Sequence, residues 1–152
     1  MSNSVNNSVR LLVAEDNDFD FTALLENLRA VGIDGEIVWC FDGVELMEYI
    51  ECRGRYENRP EDNKINLIIL DLNMPRIDGI NFLQQLRAHE DPDIRDTYVI
   101  VVTTSTLQAD LEAATKMGIL DFIIKPDTLN DTRIMCQDIG KHMVNICENR
   151  SA

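Results

Sequence analysis

Polar side chains capable of chemistry follow four short apolar runs of the chain. Glu15 and Asp16 come after the first run, Asp71 after a second, and Thr103 and Lys125 end two later ones. If the runs form parallel strands, their carboxyl ends lie at one edge of the sheet, where ligands bind in such folds. The sequence therefore predicts that these carboxylates, a hydroxyl and an ammonium group converge on one site.

Carboxylates gathered in this way repel one another. Two unit charges 4 Å apart interact by roughly 4 kcal/mol at an effective dielectric constant of about 20. A hard cation relieves this repulsion, and Mg²⁺ binds one or two carboxylates and completes its shell with water and a substrate phosphate. Lys125 offers a point charge to a phosphoryl oxygen, and Thr103 offers a hydroxyl donor. We interpret the set as a phosphoryl-transfer site with Asp71 as the oxygen nucleophile.

Each of these residues also has an ordinary structural interpretation. An acidic residue after a strand is most often a turn former or a helix cap. Lys125 followed by proline is commonly only a loop, and Thr103 alone could satisfy a backbone group. Compatible chemistry at four strand ends favours a shared site, because independent turn residues would rarely combine in this way.

Continuous apolar runs without alternation are typical of strands that are covered on both faces. They lie at residues 11–14, 67–70, 99–102 and 122–124, with a weaker one at 36–40. Between them, apolar residues recur at helical spacing in segments that begin near Phe21, Val44, Phe82, Leu107 and Ile134. This alternation predicts an α/β domain, doubly wound, with a five-stranded parallel sheet. Residues 1–8 are predicted to be a flexible N-terminal tail.

Composition restricts the possible partners. The chain has 152 residues, with 14 Lys and Arg against 27 Asp and Glu, and a net charge of −13. This charge argues against nucleic acid and against anionic membrane surfaces, since both are bound by Lys and Arg. No signal peptide, membrane-spanning run or zinc-ligand spacing is apparent, which predicts a cytoplasmic protein whose four cysteines are reduced thiols.

The motifs at the four strand ends resemble the receiver domain of two-component response regulators. They read Leu-Leu-Val-Ala-Glu-Asp-Asn at 11–17, Leu-Asp-Leu-Asn-Met-Pro-Arg-Ile-Asp-Gly at 70–79, Val-Val-Thr-Thr-Ser at 101–105 and Phe-Ile-Ile-Lys-Pro at 122–126. The resemblance implies a receiver domain over residues 9–149 with no output domain. It also implies the flavodoxin-like fold with strand order 2-1-3-4-5.

The resemblance implies a role for each matching residue. Asp71 would be the phosphoacceptor, and Thr103 and Lys125 would contact the phosphoryl group and complete the catalytic set. Mg²⁺ or Mn²⁺ would be held by the carboxylates and by one backbone carbonyl, that is, by Glu15, Asp16, Asp71 and Asn73. The bond between Lys125 and the following proline would be cis.

The resemblance further implies how a phosphorylated state is communicated. Thr103 and Phe122 would form the switch, so that phosphorylation remodels the surface of the fourth and fifth strand–helix units. Asn73 and Ser105 would tune hydrolysis of the acyl phosphate. Phe122 stands where a tyrosine is frequent, and Thr104 is bulkier than the residue usual beside the switch hydroxyl.

The implied partner is a sensor histidine kinase or a histidine phosphotransfer protein, and a homodimer is compatible with the family. The protein would be a phosphoacceptor that assists its own phosphotransfer and dephosphorylation, rather than an enzyme with turnover. The polar segment before the third strand and the residues at 101–105 are similar to a bacterial subgroup associated with phytochrome-type sensor kinases.

Three other functions remain as alternatives. A phosphatase of the haloacid-dehalogenase type would need an acidic residue two positions after the nucleophile, where this chain has Asn73. A nucleotide or flavin module would need a glycine-rich phosphate loop, but the loop after the first strand is acidic. A receiver that binds partners without phosphorylation would not need the complete acceptor set.

Overall fold

The computed structural model describes the backbone of residues 3–151 and the side chains of residues 5–150. Five strands alternate with helices: α1 Asn3–Ser8, β1 Val9–Ala14, α2 Asp18–Ala30, β2 Ile37–Cys40, α3 Gly43–Glu51, β3 Ile65–Leu70, α4 Gly79–Arg87, α5 Pro92–Arg95, β4 Tyr98–Thr103, α6 Gln108–Lys116, β5 Asp121–Ile124 and α7 Leu129–Ser151. The strands are parallel and lie in the order β2-β1-β3-β4-β5. The predicted doubly wound fold and its strand order are confirmed.

Two apolar layers cover the sheet, one on each face. Along β1, Leu12 and Ala14 belong to the layer that contains α3, α4 and α6, whereas Leu11 and Val13 belong to the layer that contains α2 and α7. Successive side chains of a strand point to opposite faces, so a strand buried on both sides needs apolar residues at every position. This requirement explains the continuous apolar runs of the sequence.

Short polar side chains set where three of the helices begin. Asn17, Asp42 and Asp78 each accept a hydrogen bond from a backbone N–H in the first turn of α2, α3 and α4. Such caps satisfy donors that have no partner within the helix. The acidic residues near the strand ends therefore divide into helix caps and residues that face the site.

The predicted flexible tail over residues 1–8 differs from the structure. Residues 3–8 form α1, and residues 1 and 2 lie outside the described part of the chain. Val5 is only 5% exposed and packs into the apolar layer of α2 and α7, which gives this short helix a tertiary partner. The Asn6 side chain accepts a hydrogen bond from the Asp34 N–H at 3.2 Å.

Two further observations concern the backbone and the helices. The Lys125–Pro126 bond is trans, since the described residues contain no cis peptide bond, so the expectation of a cis bond is wrong. The trans form of an X–Pro bond is favoured by about 0.5–1 kcal/mol in the absence of other constraints. Within residues 3–151, no helix has both the length and the hydropathy required to cross a lipid bilayer.

Candidate functional site

Backbone hydrogen bonds beyond the strand ends place the polar residues at one edge of the sheet. The Glu15 N–H donates to the Cys40 carbonyl at 3.1 Å, and the Asp71 N–H donates to the Ala14 carbonyl at 3.3 Å. The Lys125 N–H donates to the Thr103 carbonyl at 2.8 Å. The parallel ladders therefore continue into the first residue after β1, β3 and β5, which fixes the three side chains relative to one another.

The ammonium group of Lys125 joins the acidic side chains of this edge. Its Nζ lies 2.8 Å from Glu15 Oε1, 3.0 Å from Asp71 Oδ2 and 3.4 Å from Asp20 Oδ2. The structure thus brings together residues that are more than fifty positions apart in the chain. Asp20, in the first turn of α2, was not predicted from the sequence.

The three predicted carboxylates form one cluster. Glu15, Asp16 and Asp71 each offer an oxygen, and these oxygens lie within 4.8 Å of one another. Glu15 is 5% exposed and Asp71 is 7% exposed, whereas Asp16 is open to solvent. Among the described residues, the buried Glu15 Oε2 has no hydrogen-bond partner. Buried carboxylate oxygens normally have partners, and an oxygen-only donor set with an unpartnered member fits a hard divalent cation.

The protonation of Glu15 reflects this crowding. Burial raises the pKa of Glu15 to about 7, the neighbouring Asp71 adds to the rise, and Lys125 opposes it. Burial works in the opposite direction on Lys125, but hydrogen bonds to Glu15 and Asp71 outweigh it and hold the pKa of Lys125 above its usual value. The Lys125 ammonium group is therefore held in its charged form, whereas Glu15 gives up its proton less readily than a solvent-exposed glutamate.

Both oxygens of Asp71 are positioned by hydrogen bonds. Oδ1 accepts from the backbone N–H of Asn73 at 2.9 Å, and Oδ2 accepts from Lys125. The Asn73 amide nitrogen donates to Thr104 Oγ1 at 3.3 Å, which links the loop after β3 to the loop after β4. The backbone of Asn73 thus lies beside the Asp71 carboxylate, while its side chain contacts Thr104 on the far side of the site.

The Thr103 hydroxyl is turned toward its own loop. Thr103 is fully buried, and its Oγ1 accepts from the Ser105 N–H at 3.2 Å. Ser105 Oγ donates to Asp110 Oδ2 at 2.5 Å, so this hydroxyl is engaged with α6. Phe122 is half-buried in the same apolar layer as Val101, its partner in the β4–β5 register. Because residues two apart in a strand share a face, Thr103 and Phe122 lie on the same side of the sheet.

A tryptophan also contacts the site and was not predicted. Trp39 Nε1 donates to the Glu15 carbonyl at 2.6 Å, and its ring stacks on Phe21 with centroids 4.8 Å apart. Trp39 lies on β2, next to β1 in the sheet. The pairing of β2 with β1 was a signal for the Trp39 contact. The signal for Asp20 was its position in the first turn of the helix that follows Glu15 and Asp16.

Comparisons with known proteins agree with this geometry. The family model of the response regulator receiver domain matches residues 11–136. Response regulator Rcp1 of Synechocystis sp. is 33% identical over 139 residues, which are 91% of this chain and 91% of Rcp1.

Two solved structures are similar over most of the chain. The Mn²⁺-bound form of Rcp1 is 33% identical, with a TM-score of 0.73 over 86% of this chain and 90% of that one. The phosphorylated cyanobacterial phytochrome response regulator RcpA is 27% identical, with a TM-score of 0.77 over 90% of this chain and 94% of that one. The chain therefore belongs to the response regulator receiver domain family, and it is a receiver of two-component signalling.

Proposed function

We propose that this receiver is phosphorylated on Asp71 in a reaction that requires Mg²⁺ or Mn²⁺. The observation that carries the proposal is the position of Asp71, a buried carboxylate with Lys125 on one oxygen and the Asn73 N–H on the other. The likeness to Mn²⁺-bound Rcp1 and to phosphorylated RcpA supports it.

The cation would be held by Glu15, Asp16, Asp71 and the backbone carbonyl of Asn73. When bound, it supplies positive charge that neutralises the phosphoryl oxygens and the acidic cluster. The unpartnered Glu15 Oε2 and the close approach of the carboxylate oxygens fit this use.

The remaining chemistry belongs to the side chains. An Asp71 oxygen forms the new bond to phosphorus, while the bond from phosphorus to the donor breaks and the donor leaves with that electron pair. Lys125 exchanges its carboxylate partners for a phosphoryl oxygen, and Thr103 donates its hydroxyl to another. Charged donors held in place before the reaction stabilise the transition state without reorganisation.

Release of the Thr103 hydroxyl from Ser105 is the proposed start of the switch. Movement of Thr103 changes the space available to Phe122 on the same face of the sheet, so the surface of β4, α6, β5 and α7 is remodelled. Phosphorylation then acts as a local electrostatic event that biases a two-state element. Asn73, through its bond to Thr104, and Ser105, through Asp110, set the access of water and hence the lifetime of the phosphorylated state.

The proposed donor is the phosphohistidine of a sensor histidine kinase or of a histidine phosphotransfer protein, and we propose that the receiver meets it in the cytoplasm. Similarity to RcpA favours a kinase of the phytochrome type. The exposed apolar side chains Leu111, Ile124, Leu129 and Ile134 lie on α6, β5 and α7, and we propose this face for partner binding or homodimerisation. Light scattering with and without phosphodonor measures the latter.

Intact mass after incubation with acetyl phosphate and Mg²⁺ tests the proposal. We expect the mass of one added phosphoryl group, absent in EDTA and absent in Asp71→Asn. Asp78→Asn is the matched control, because Asp78 caps α4 from the same loop and asparagine caps equally well. Continuous release of phosphate from a simple phosphate ester, or a phosphoryl group retained by Asp71→Asn, would contradict it.

A further inference from the structure

The loop between β3 and α4 contains an unusual backbone conformation. Arg76 has a φ of 64°, and the Ile77 N–H donates to the Pro75 carbonyl at 2.8 Å. Arg76 is therefore the central residue of a three-residue γ-turn, a rare and strained type. A bulky side chain at positive φ persists only where the surrounding structure enforces it.

An ion pair with Asp42 holds Arg76 in this conformation. Arg76 Nε donates to Asp42 Oδ2 at 2.6 Å, and Nη2 donates to Asp42 Oδ1 at 2.9 Å. Asp42 is 3% exposed and also caps α3 by accepting from the Glu45 N–H at 2.9 Å. Burial opposes ionisation of Asp42, but Arg76 and the Glu45 N–H outweigh it and lower the pKa of Asp42. The Arg76 guanidinium group thus makes two hydrogen bonds to a carboxylate whose position is already fixed by its bond to the first turn of α3.

The loop and the beginning of α3 also meet through their backbones. A Cβ on Gly43 would lie 3.3 Å from the Ile77 carbonyl oxygen, so only a small residue allows this approach without adjustment. The end of the loop is anchored separately, since the Gly79 N–H donates to the Leu72 carbonyl at 2.9 Å. The Arg76–Asp42 pair therefore fixes the middle of the loop, which holds Asn73.

We propose that Arg76 is a positioning residue for the phosphorylation site. Its fork on Asp42 holds the loop so that the Asn73 N–H stays on Asp71 Oδ1, which leaves Oδ2 toward Lys125. This inference rests on the proposed function of Asp71. Supporting groups that orient a metal site typically contribute about 10–100-fold to metal affinity.

Two conservative substitutions separate positioning from folding. Arg76→Lys keeps the charge and loses the two-pronged geometry, and Asp42→Asn keeps the α3 cap and loses the charge. We expect each to weaken Mg²⁺ binding by about tenfold, measured by calorimetric titration, and to slow phosphorylation by acetyl phosphate. The double variant should bind Mg²⁺ no more weakly than whichever single variant binds it more weakly, because both substitutions disrupt the same pair.

Arg76→Gly supplies an independent readout. Glycine relieves the strain of the positive φ but also removes the pair with Asp42. A purely structural role therefore predicts a change in thermal stability with unchanged Mg²⁺ affinity, whereas positioning predicts the same loss of Mg²⁺ affinity as in Arg76→Lys. Arg95→Lys is the matched control, since Arg95 pairs with Asp96 before the amino end of β4, and we expect it to match the wild type.

Wild-type Mg²⁺ affinity and phosphorylation rate in folded Arg76→Lys and Asp42→Asn would overturn the inference. So would a loss of thermal stability in these variants without a change in Mg²⁺ affinity. Absence of phosphorylation in the wild-type protein would instead refute the function proposed for Asp71, and the Mg²⁺ titrations distinguish the two failures.

Discussion

Replacement of Glu15 by glutamine is expected to stabilise the cation-free protein at neutral and alkaline pH. Glu15 is buried, its Oε2 has no partner among the described residues, and burial together with Asp71 raises its pKa to about 7 against the opposing effect of Lys125. Glutamine preserves the shape of the side chain and removes the charge. The variant should therefore be more stable and less able to bind a cation.

The magnitude follows from the shift in pKa. Because the folded state holds a proton that the unfolded chain releases, the wild-type protein loses stability as the pH rises from 4.5 to about 7. The full shift corresponds to a free energy on the order of 3 kcal/mol. Glu15→Gln escapes this loss, so we expect its free energy of unfolding to exceed that of the wild type by about 1–3 kcal/mol at pH 8. At pH 4.5 the difference should nearly vanish.

Urea unfolding in EDTA, followed by circular dichroism at the two pH values, measures this difference. In saturating Mg²⁺ the wild type should instead be the more stable protein. A ligand that binds only the folded state stabilises it by more when it binds more tightly, and the wild type keeps the Glu15 carboxylate for the cation. Glu26→Gln, on the exposed face of α2, is the control. A difference that is independent of pH, or a variant less stable than the wild type at pH 8 in EDTA, would refute the electrostatic reasoning.

Two further predictions concern the same edge of the sheet. Lys125→Met removes the ammonium group from the acidic cluster and should lower the free energy of unfolding in EDTA by about 2 kcal/mol or more, since a buried charge would lose its partner; wild-type stability in the same urea titration would contradict this. Gly79→Ala would place a Cβ 2.6 Å from Leu72 Cα, a backbone atom that cannot move freely, and should destabilise the protein by about 1–3 kcal/mol. Gly43→Ala is its control, because Gly43 begins α3 as Gly79 begins α4 and its added Cβ would come no closer than 3.3 Å to a neighbouring atom, and a thermal melt in which Gly43→Ala is the less stable variant would contradict the packing explanation.

Much of the fold was predictable because burial on both faces leaves a strong signal. The run at residues 67–70 lies inside β3, Ile65–Leu70, and the run at 99–102 lies inside β4, Tyr98–Thr103. The convergence of Glu15, Asp71 and Lys125 then follows from topology alone, since the carboxyl ends of parallel strands share an edge. The prediction of the site therefore rested on where the strands end and did not depend on individual side-chain contacts.

What could not be predicted depends on contacts between distant segments. α1 is too short to be stable alone, and it forms because Val5 packs against the apolar layer of α2 and α7. The Arg76–Asp42 pair joins residues 34 positions apart and leaves no periodic pattern. The orientation of the Thr103 hydroxyl toward Ser105 is likewise set by rotamer choice, which the sequence does not encode locally.

The charge balance of the site also implies an order of events. In the cation-free protein Lys125 neutralises Glu15 and Asp71 and lies near Asp20, so its ammonium group cannot also hold a phosphoryl oxygen without leaving carboxylates unpaired. A divalent cation held by those carboxylates would supply the charge that neutralises them, and Lys125 would then exchange partners at little electrostatic cost. The loss of phosphorylation that we expect in EDTA should therefore persist at acetyl phosphate concentrations that saturate the reaction in Mg²⁺, because the carboxylates would still occupy the ammonium group proposed to bind the phosphoryl oxygen.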